Sequence, residues 1–371
     1  MRIVLTGGCT GGHIYPALAI GDKLRENDST TEILYIGNNE GIEKEIVPKN
    51  GYNLKLVSAT WLERDSVLRI FKTVTCTLKG KREAKKILKE FKPDAVISTG
   101  SFVSVPVVLA AKSLKLPVYI HEQNGFPGIS NRILSKYARI VFLGFKQAAQ
   151  YFKSDINTIY SGNPVRKIFY NINKADMKAR LKIPENVFVI MIFGGSLGAR
   201  SLNEIAHALI QKYGNNKEMF LIIGTGKGYF NDFCKSISDC QYRNIKVLPF
   251  IDDMETYLGA SDIIISRAGA LSLSEILVTG RTAIFIPSPN VTADHQYYNA
   301  KFAATGGGSF VIQEGGDCIK NTLEKVQMLI SDKNNIEKYE KNNRNIAPID
   351  ATDIICNNIL EDLRKKKDGK R

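Results

Sequence analysis

No stretch of this chain approaches the roughly 18–20 uninterrupted apolar residues that a helix needs to cross a bilayer, so no spanning segment is expected. The opening Met1-Arg2-Ile3-Val4-Leu5-Thr6-Gly7-Gly8 is broken by glycine too soon for a signal peptide, and reads as a first buried strand. The six cysteines form no C-x-x-C pair and have no metal-ligand spacing with the four histidines. A disulfide framework or a zinc site is therefore not expected, and a reducing cytosol fits. The dinucleotide fingerprint G-x-G-x-x-G and the P-loop G-x-x-x-x-G-K-[ST] are both missing, which leaves oxidoreductase and P-loop readings unsupported.

What is present is length, glycine and positive charge. At 371 residues the chain exceeds what one core usually holds, so two domains are expected. Its net charge of +14 calls for nucleic acid, anionic lipid or a lysine-rich genome as the explanation, and the location of the charge has to decide. The thirty glycines cluster where apolar runs end. Strands are expected at Ile3–Leu5, Ile33–Ile36, Ala95–Ser98, Val118–Ile120 and Ile140–Phe142, with helices between them, among them 16–26 and 105–112. The pattern restarts at Phe188–Phe193 and continues through Met219–Gly224, Ile245–Pro249, Ile263–Ser266 and Ala283–Ile286. Such alternation predicts an α/β protein of two Rossmann-like, doubly wound parallel sheets facing each other across a cleft. The boundaries are 1–161, 162–349 and a C-terminal helix with a basic tail, 350–371, packing back on the first domain; the tail from Arg364 on is expected to fray.

Four strand-to-helix loops can carry chemistry. In Thr6-Gly7-Gly8-Cys9-Thr10-Gly11-Gly12-His13 the glycines let backbone N–H groups approach an anion or a sugar. The alternative is a tight turn without a ligand. His13 is either a general base or a residue that caps the loop. Ser98 to Pro106 is a second such loop, followed by His121-Glu122-Gln123-Asn124, four polar residues ending an apolar strand. Glu122 and Asn124 are read as cleft-lining, against a solvated-loop alternative. Gly194-Gly195-Ser196-Leu197-Gly198-Ala199 supplies amides and a hydroxyl suited to phosphate. The amides of Ala270, Leu271 and Ser272 form an anion site at a helix start, with Glu275 following either as a ribose acceptor or as a favourably placed charge.

Together these loops resemble the bacterial MurG transferases. The matching elements are Thr-Gly-Gly-His at 10–13, His-Glu-Gln-Asn at 121–124, Gly-Asn-Pro-Val-Arg at 162–166, Gly-Gly-Ser-x-Gly-Ala at 194–199, Phe-Ile-Asp-Asp-Met at 250–254, Arg-x-Gly-Ala-Leu-Ser-x-Ser-Glu at 267–275 and His-Gln-x-x-Asn-Ala at 295–300. The resemblance implies a GT-B fold and an inverting transfer of N-acetylglucosamine (GlcNAc) from UDP-GlcNAc to lipid I, giving lipid II for peptidoglycan. By position it implies that the Ile251 backbone reads uracil and Glu275 holds the ribose. Ser196, Ala270 to Ser272 and Arg166 then lie near the diphosphate. Asn124 and Gln296 would recognise sugar hydroxyls, and Thr10, Gly11 and Gly12 would close over the sugar from the other domain. His13 is the expected base, with Glu122 in reserve. Two departures are Gly100-Ser101-Phe102-Val103-Ser104, where the family usually carries a tyrosine, and Ile223-Gly224-Thr225-Gly226 in place of His-Gln-[Ser/Thr]-Gly.

No Asp-x-Asp motif occurs, so helix N-termini are expected to stabilise the leaving diphosphate with no obligatory metal and no cofactor. Residues 64–92 carry ten basic side chains against three acidic, a local net of +7. Within them Val67, Ile70, Phe71, Val74 and Leu78 share one helical face, which on its own reads as core packing. Combined with a lipid-linked acceptor, the segment predicts peripheral docking on the anionic cytoplasmic side of the membrane. The rival readings are a transferase for another lipid acceptor, an inactive UDP-sugar-binding module, and an RNA-binding protein. The last lacks any recognised module, so no nucleic-acid partner is expected.

Overall fold

Ile3, Val4 and Leu5 are all fully buried, as a strand apolar on both faces requires, and they sit near the middle of a parallel sheet. The computed structural model describes all residues except 62–66, 196, 238–241, 292–293, 348–350, 368 and 370–371, and the side chains of 67, 68, 333, 334 and 367. The chain divides into two units. One comprises Met1–Arg166 with Asp350–Arg371, and the other Lys167–Ile349.

In the first unit β1 (Arg2–Thr6), β2 (Glu32–Asn38), β3 (Asn53–Val57), β4 (Ala95–Ser98), β5 (Val118–Glu122), β6 (Ile140–Leu143) and β7 (Thr158–Tyr160) form one parallel sheet in the order β3-β2-β1-β4-β5-β6-β7. One face packs on the helix Gly11–Asn27 and on the C-terminal helix Ala351–Lys367 through Ile14, Leu18, Ile355 and Ile359. The other packs on the helices Val67–Phe91 and Ser104–Ser113 through Ala84, Leu88, Val107 and Ala111. The second unit repeats the plan. Its strands β8 (Phe188–Phe193), β9 (Met219–Gly224), β10 (Ile245–Leu248), β11 (Ile263–Ser266), β12 (Thr282–Phe285) and β13 (Ser309–Val311) lie in the parallel order β10-β9-β8-β11-β12-β13. In both sheets the order reverses beside the first strand, between β1 and β4 and between β8 and β11. Loops leaving these strand pairs diverge to opposite faces and open a crevice at the carboxyl ends, where ligands of such sheets bind.

Three particulars differ from the sequence reading. The turn 162–166 belongs with the first unit, because the Ser161 and Gly162 N–H groups both donate to Leu143 O at 3.1 Å. The C-terminal helix runs on to Lys367 instead of fraying at Arg364, with a Lys365–Glu361 ion pair one turn apart. The apolar stripe of the helix Val67–Phe91 does not pack into the core: Phe71 is 68% exposed, Leu78 50% and Val74 48%. The face turned inward carries Gly80, Ala84 and Leu88 instead. The helix approaches so closely at Gly80 that a Cβ there would lie 1.9 Å from Ser58 O, so at that turn only glycine can face in.

Candidate active site

The loops after β1 and β4 meet at the reversal point of the first sheet. Thr99 locks them together: its N–H donates to Thr6 O at 2.9 Å and its hydroxyl to His13 O at 2.6 Å. Gly7 has to be glycine, since a Cβ there would lie 2.2 Å from Thr99 Oγ1. Cys9 and Ser101 both adopt left-handed backbone, at φ 71° and 73°, a conformation that non-glycine residues hold only when their surroundings enforce it.

His13 sits in the first turn of the helix Gly11–Asn27, part-exposed, with Nδ1 2.8 Å from Thr99 O. A carbonyl can only accept, so Nδ1 carries a hydrogen, and the neutral form of the ring is then the tautomer with its lone pair at Nε2. That is the tautomer a general base needs. His121 differs. Its buried Nε2–H donates to Gly162 O at 3.0 Å, Gln123 Nε2 lies 3.2 Å from its Nδ1, and burial pushes its pKa down to about 4. It is a neutral fixture that ties the 162–166 turn to β5.

Glu122, 1% exposed, is also occupied. One oxygen accepts from Asn124 N at 2.9 Å and Asn124 Nδ2 at 3.3 Å; the other accepts from Gly128 N at 3.0 Å and Asn131 Nδ2 at 2.8 Å. Four N–H donors make this carboxylate the organiser of the loop after β5, with Asn124 part-exposed above it. Arg166 stands with its guanidinium 5.5 Å from the ring centroid of Tyr15, on the helix that carries His13. Thr10, Gly11 and Gly12 are exposed or part-exposed around the start of that helix.

In the second unit the loop 194–199 follows β8, with Gly195 at φ 84° and Gly198 at φ 77°; Ser196 lies outside the described residues. A Cβ on Gly198 would lie 2.1 Å from Thr225 O, so the segment after β9 that departs from the family pattern forms the floor of this loop. After β11 the helix Ala270–Thr279 begins without a side-chain cap. The first amides of a helix have no intrahelical acceptor, so Ala270, Leu271 and Ser272 direct N–H groups and the positive end of the helix dipole outward. Glu275 is 8% exposed on the next turn. Gln296 Oε1 accepts from Ser288 N at 3.0 Å, which directs its amide NH2 away from that bond. Ile251, 6% exposed, follows β10 and packs over Gly224.

Two residues without an assigned role hold this helix start in place. The Arg267 guanidinium donates to Ile286 O at 3.0 Å and Ser201 Oγ at 2.9 Å and pairs with Glu314. Asn299 Nδ2 donates to Ala268 O at 3.1 Å. Their sequence signal was an arginine placed directly after an apolar strand and an asparagine inside a helix. Among the described residues no group of three or more His, Cys, Asp or Glu side chains is placed to hold a metal ion.

Two doubly wound parallel sheets, each with glycine loops at its reversal point, define a ligand-binding class of α/β protein, and comparison with known proteins narrows that class. Residues 3–143 match the glycosyltransferase family 28 N-terminal domain and residues 189–353 its C-terminal domain. A UDP-N-acetylglucosamine--N-acetylmuramyl-(pentapeptide) pyrophosphoryl-undecaprenol N-acetylglucosamine transferase of Acetivibrio thermocellus is 36% identical over 367 residues, 99% of each chain. The protein of the same name from Alkaliphilus oremlandii is 38% identical over 367 residues, 99% of this chain and 100% of that one. A solved MurG of Acinetobacter baumannii superposes with a TM-score of 0.74 at 26% identity, covering 97% of this chain and 99% of that one. The chain belongs to the MurG family of GT-B glycosyltransferases.

Proposed function

We propose that this chain transfers GlcNAc from UDP-GlcNAc to the C4 hydroxyl of the N-acetylmuramyl unit of lipid I, with inversion at the sugar C1. The observation that carries the chemistry is His13 at the reversal point of the first sheet, held by Nδ1 on Thr99 O at 2.8 Å. As the acceptor hydroxyl attacks C1, its proton passes to His13 Nε2 and the bond from C1 to the UDP oxygen breaks, leaving a β1→4 linkage. His13 is preferred to Glu122 as the base because four N–H donors already engage Glu122.

The departing diphosphate gains negative charge, and the uncapped N-terminus at Ala270, Leu271 and Ser272 suits it, since amides already oriented need no reorganisation. Arg166 and Ser196 are assigned to the same diphosphate, the Ile251 backbone to uracil and Glu275 to the ribose diol. Asn124 and Gln296 are assigned to GlcNAc hydroxyls, with Thr10, Gly11 and Gly12 beside the sugar. Residues 1–166 serve the acceptor, residues 167–349 the donor, and 350–371 completes the first domain.

A lipid-linked acceptor requires the enzyme at a bilayer. The exposed Phe71, Val74 and Leu78, with Arg82, Lys85, Lys86 and Lys89 lining a shallow surface groove further along the same helix, support peripheral docking on the anionic cytoplasmic leaflet. Release of UDP from UDP-GlcNAc on addition of a lipid I analogue tests the reaction. Turnover with a different lipid acceptor only, or binding of UDP-GlcNAc without turnover, would replace this reading with one of its rivals.

A further inference from the structure

The chain has a single tryptophan, and it is not in a core: Trp61 is 60% exposed. Its ring meets Phe102 with centroids 4.7 Å apart and planes tilted by 51°. An exposed tryptophan resting on a part-exposed phenylalanine at a globular surface calls for a partner. Its position identifies one. On one side, Trp61 O accepts from Thr73 Oγ1 at 3.0 Å, which fastens it to the helix whose outer face presents Phe71, Val74 and Leu78. On the other, Phe102 follows Gly100 and Ser101, and Gly100 is packed so closely on His13 that a Cβ there would lie 3.2 Å from Nδ1. The pair therefore bridges an apolar outer surface and the proposed base.

We infer that Trp61 and Phe102 form the subsite for the first isoprenoid units of the acceptor's polyprenyl diphosphate, an assignment that rests on the reading given under Proposed function. The acceptor's reacting hydroxyl and its diphosphate lie at opposite ends of one sugar ring. When that hydroxyl is at His13, the lipid chain begins one sugar and one diphosphate away and must run from there to the bilayer. Trp61, 60% exposed, and the part-exposed Phe102 offer apolar ring surface along that route to a branched hydrocarbon chain. Phe102 stands where the family usually has tyrosine, so in this chain the subsite has no phenol and is the more apolar.

Because Trp61 is the only tryptophan, its emission reports on this pair directly. Titrating the full-length protein in detergent with long-chain lipid I should shift that emission saturably. The same head group on a short, water-soluble chain, and the detergent or anionic phospholipid alone, should leave it unmoved. Trp61→Ala should raise KM for the long-chain acceptor about tenfold, the loss expected when a few buried methylene groups return to water. The kcat should stay within about twofold, and Trp61→Phe should restore most of the KM. An equal shift with the short-chain head group would assign the pair to the sugar, and a shift with phospholipid alone would make it a membrane anchor. Either result, or no shift with long-chain lipid I, overturns the proposal. No turnover of either acceptor would defeat the functional reading itself, whereas turnover of both with unmoved Trp61 emission defeats the subsite alone.

Discussion

His13 and His121 lie in the same corner of the first unit, each with one ring nitrogen on a backbone carbonyl, and differ in what the other nitrogen meets. At His13 it has no hydrogen-bond partner among the described residues; at His121 it faces Gln123 in a fully buried setting. His13→Ala is accordingly expected to lower kcat by about 10²- to 10⁴-fold, the usual contribution of a general base, with KM for UDP-GlcNAc little changed. Steady-state kinetics with both substrates varied checks this, and an unchanged kcat would remove His13 from the mechanism. His121 predicts a stability effect. Its folded pKa of about 4 lies below the ordinary histidine value of about 6.5, so below that value the unfolded chain takes up a proton the folded chain refuses. Its contribution is complete above pH ~6.5 and falls away towards pH ~4, by up to about 3 kcal/mol. Thermal midpoints should therefore drop through that window, and His121→Gln should flatten part of the drop. The sequence presented both histidines at the ends of apolar strands or loops, and only the burial of one ring separates their roles. Glu122 shows the same limit: a polar residue after a strand reads as cleft-lining, and its four donors come from residues up to nine positions away.

The helix Val67–Phe91 was legible as amphipathic, but periodicity alone could not say which face is the core. That was decided by the approach of Gly80 to Ser58 O, a contact between residues with no sequence relationship. The outcome leaves Phe71 and Leu78 exposed, so Phe71→Ser with Leu78→Ser should reduce sedimentation with anionic vesicles while shifting unfolding free energy by no more than about 0.5 kcal/mol each. Replacing Lys81, Arg82, Lys85 and Lys86 by glutamine should weaken vesicle binding more at low salt than at high, at roughly 1 kcal/mol per residue near the surface. Binding unchanged by both sets would detach this helix from the membrane. Other elements escaped notice for a related reason. Strands β3, β7 and β13 lie at sheet edges, and the alternation in Asn53-Leu54-Lys55-Leu56-Val57 is too short to stand out. The central strands, apolar on both faces, were readable almost to the residue, as Ala95–Ser98, Phe188–Phe193 and Ile263–Ser266 illustrate.

Across the whole molecule, the two restarts of strand, glycine loop and helix were visible in the sequence because each begins at a buried β1 or β8. The return of the chain to its starting unit rests on long-range contacts. Ile355, Cys356 and Ile359 are fully buried against the helix Gly11–Asn27 and the first sheet, Lys23 pairs with Asp353 at 2.6 Å, and Asp362 accepts from Tyr119 OH at 2.6 Å and pairs with Arg139. Ile359→Ala should cost about 2–5 kcal/mol, the range for a large-to-small change in a packed interior, read as a lower denaturant midpoint with the slope unchanged. A cost below about 0.5 kcal/mol, that of an ordinary surface change, would mean the helix is not part of that core. This closure also orders events during synthesis. Residues 1–166 leave the ribosome early, yet one of the two helices that cover one face of their sheet is encoded after Lys167–Ile349. At elongation rates of roughly 5–20 residues per second the early segment waits roughly 10–40 s without that helix. The second unit, contiguous in sequence, can complete itself in that interval. The half of the protein translated first is thus the half that finishes folding last, and a nascent chain stalled before residue 351 would present the part of that face the last helix covers to chaperones.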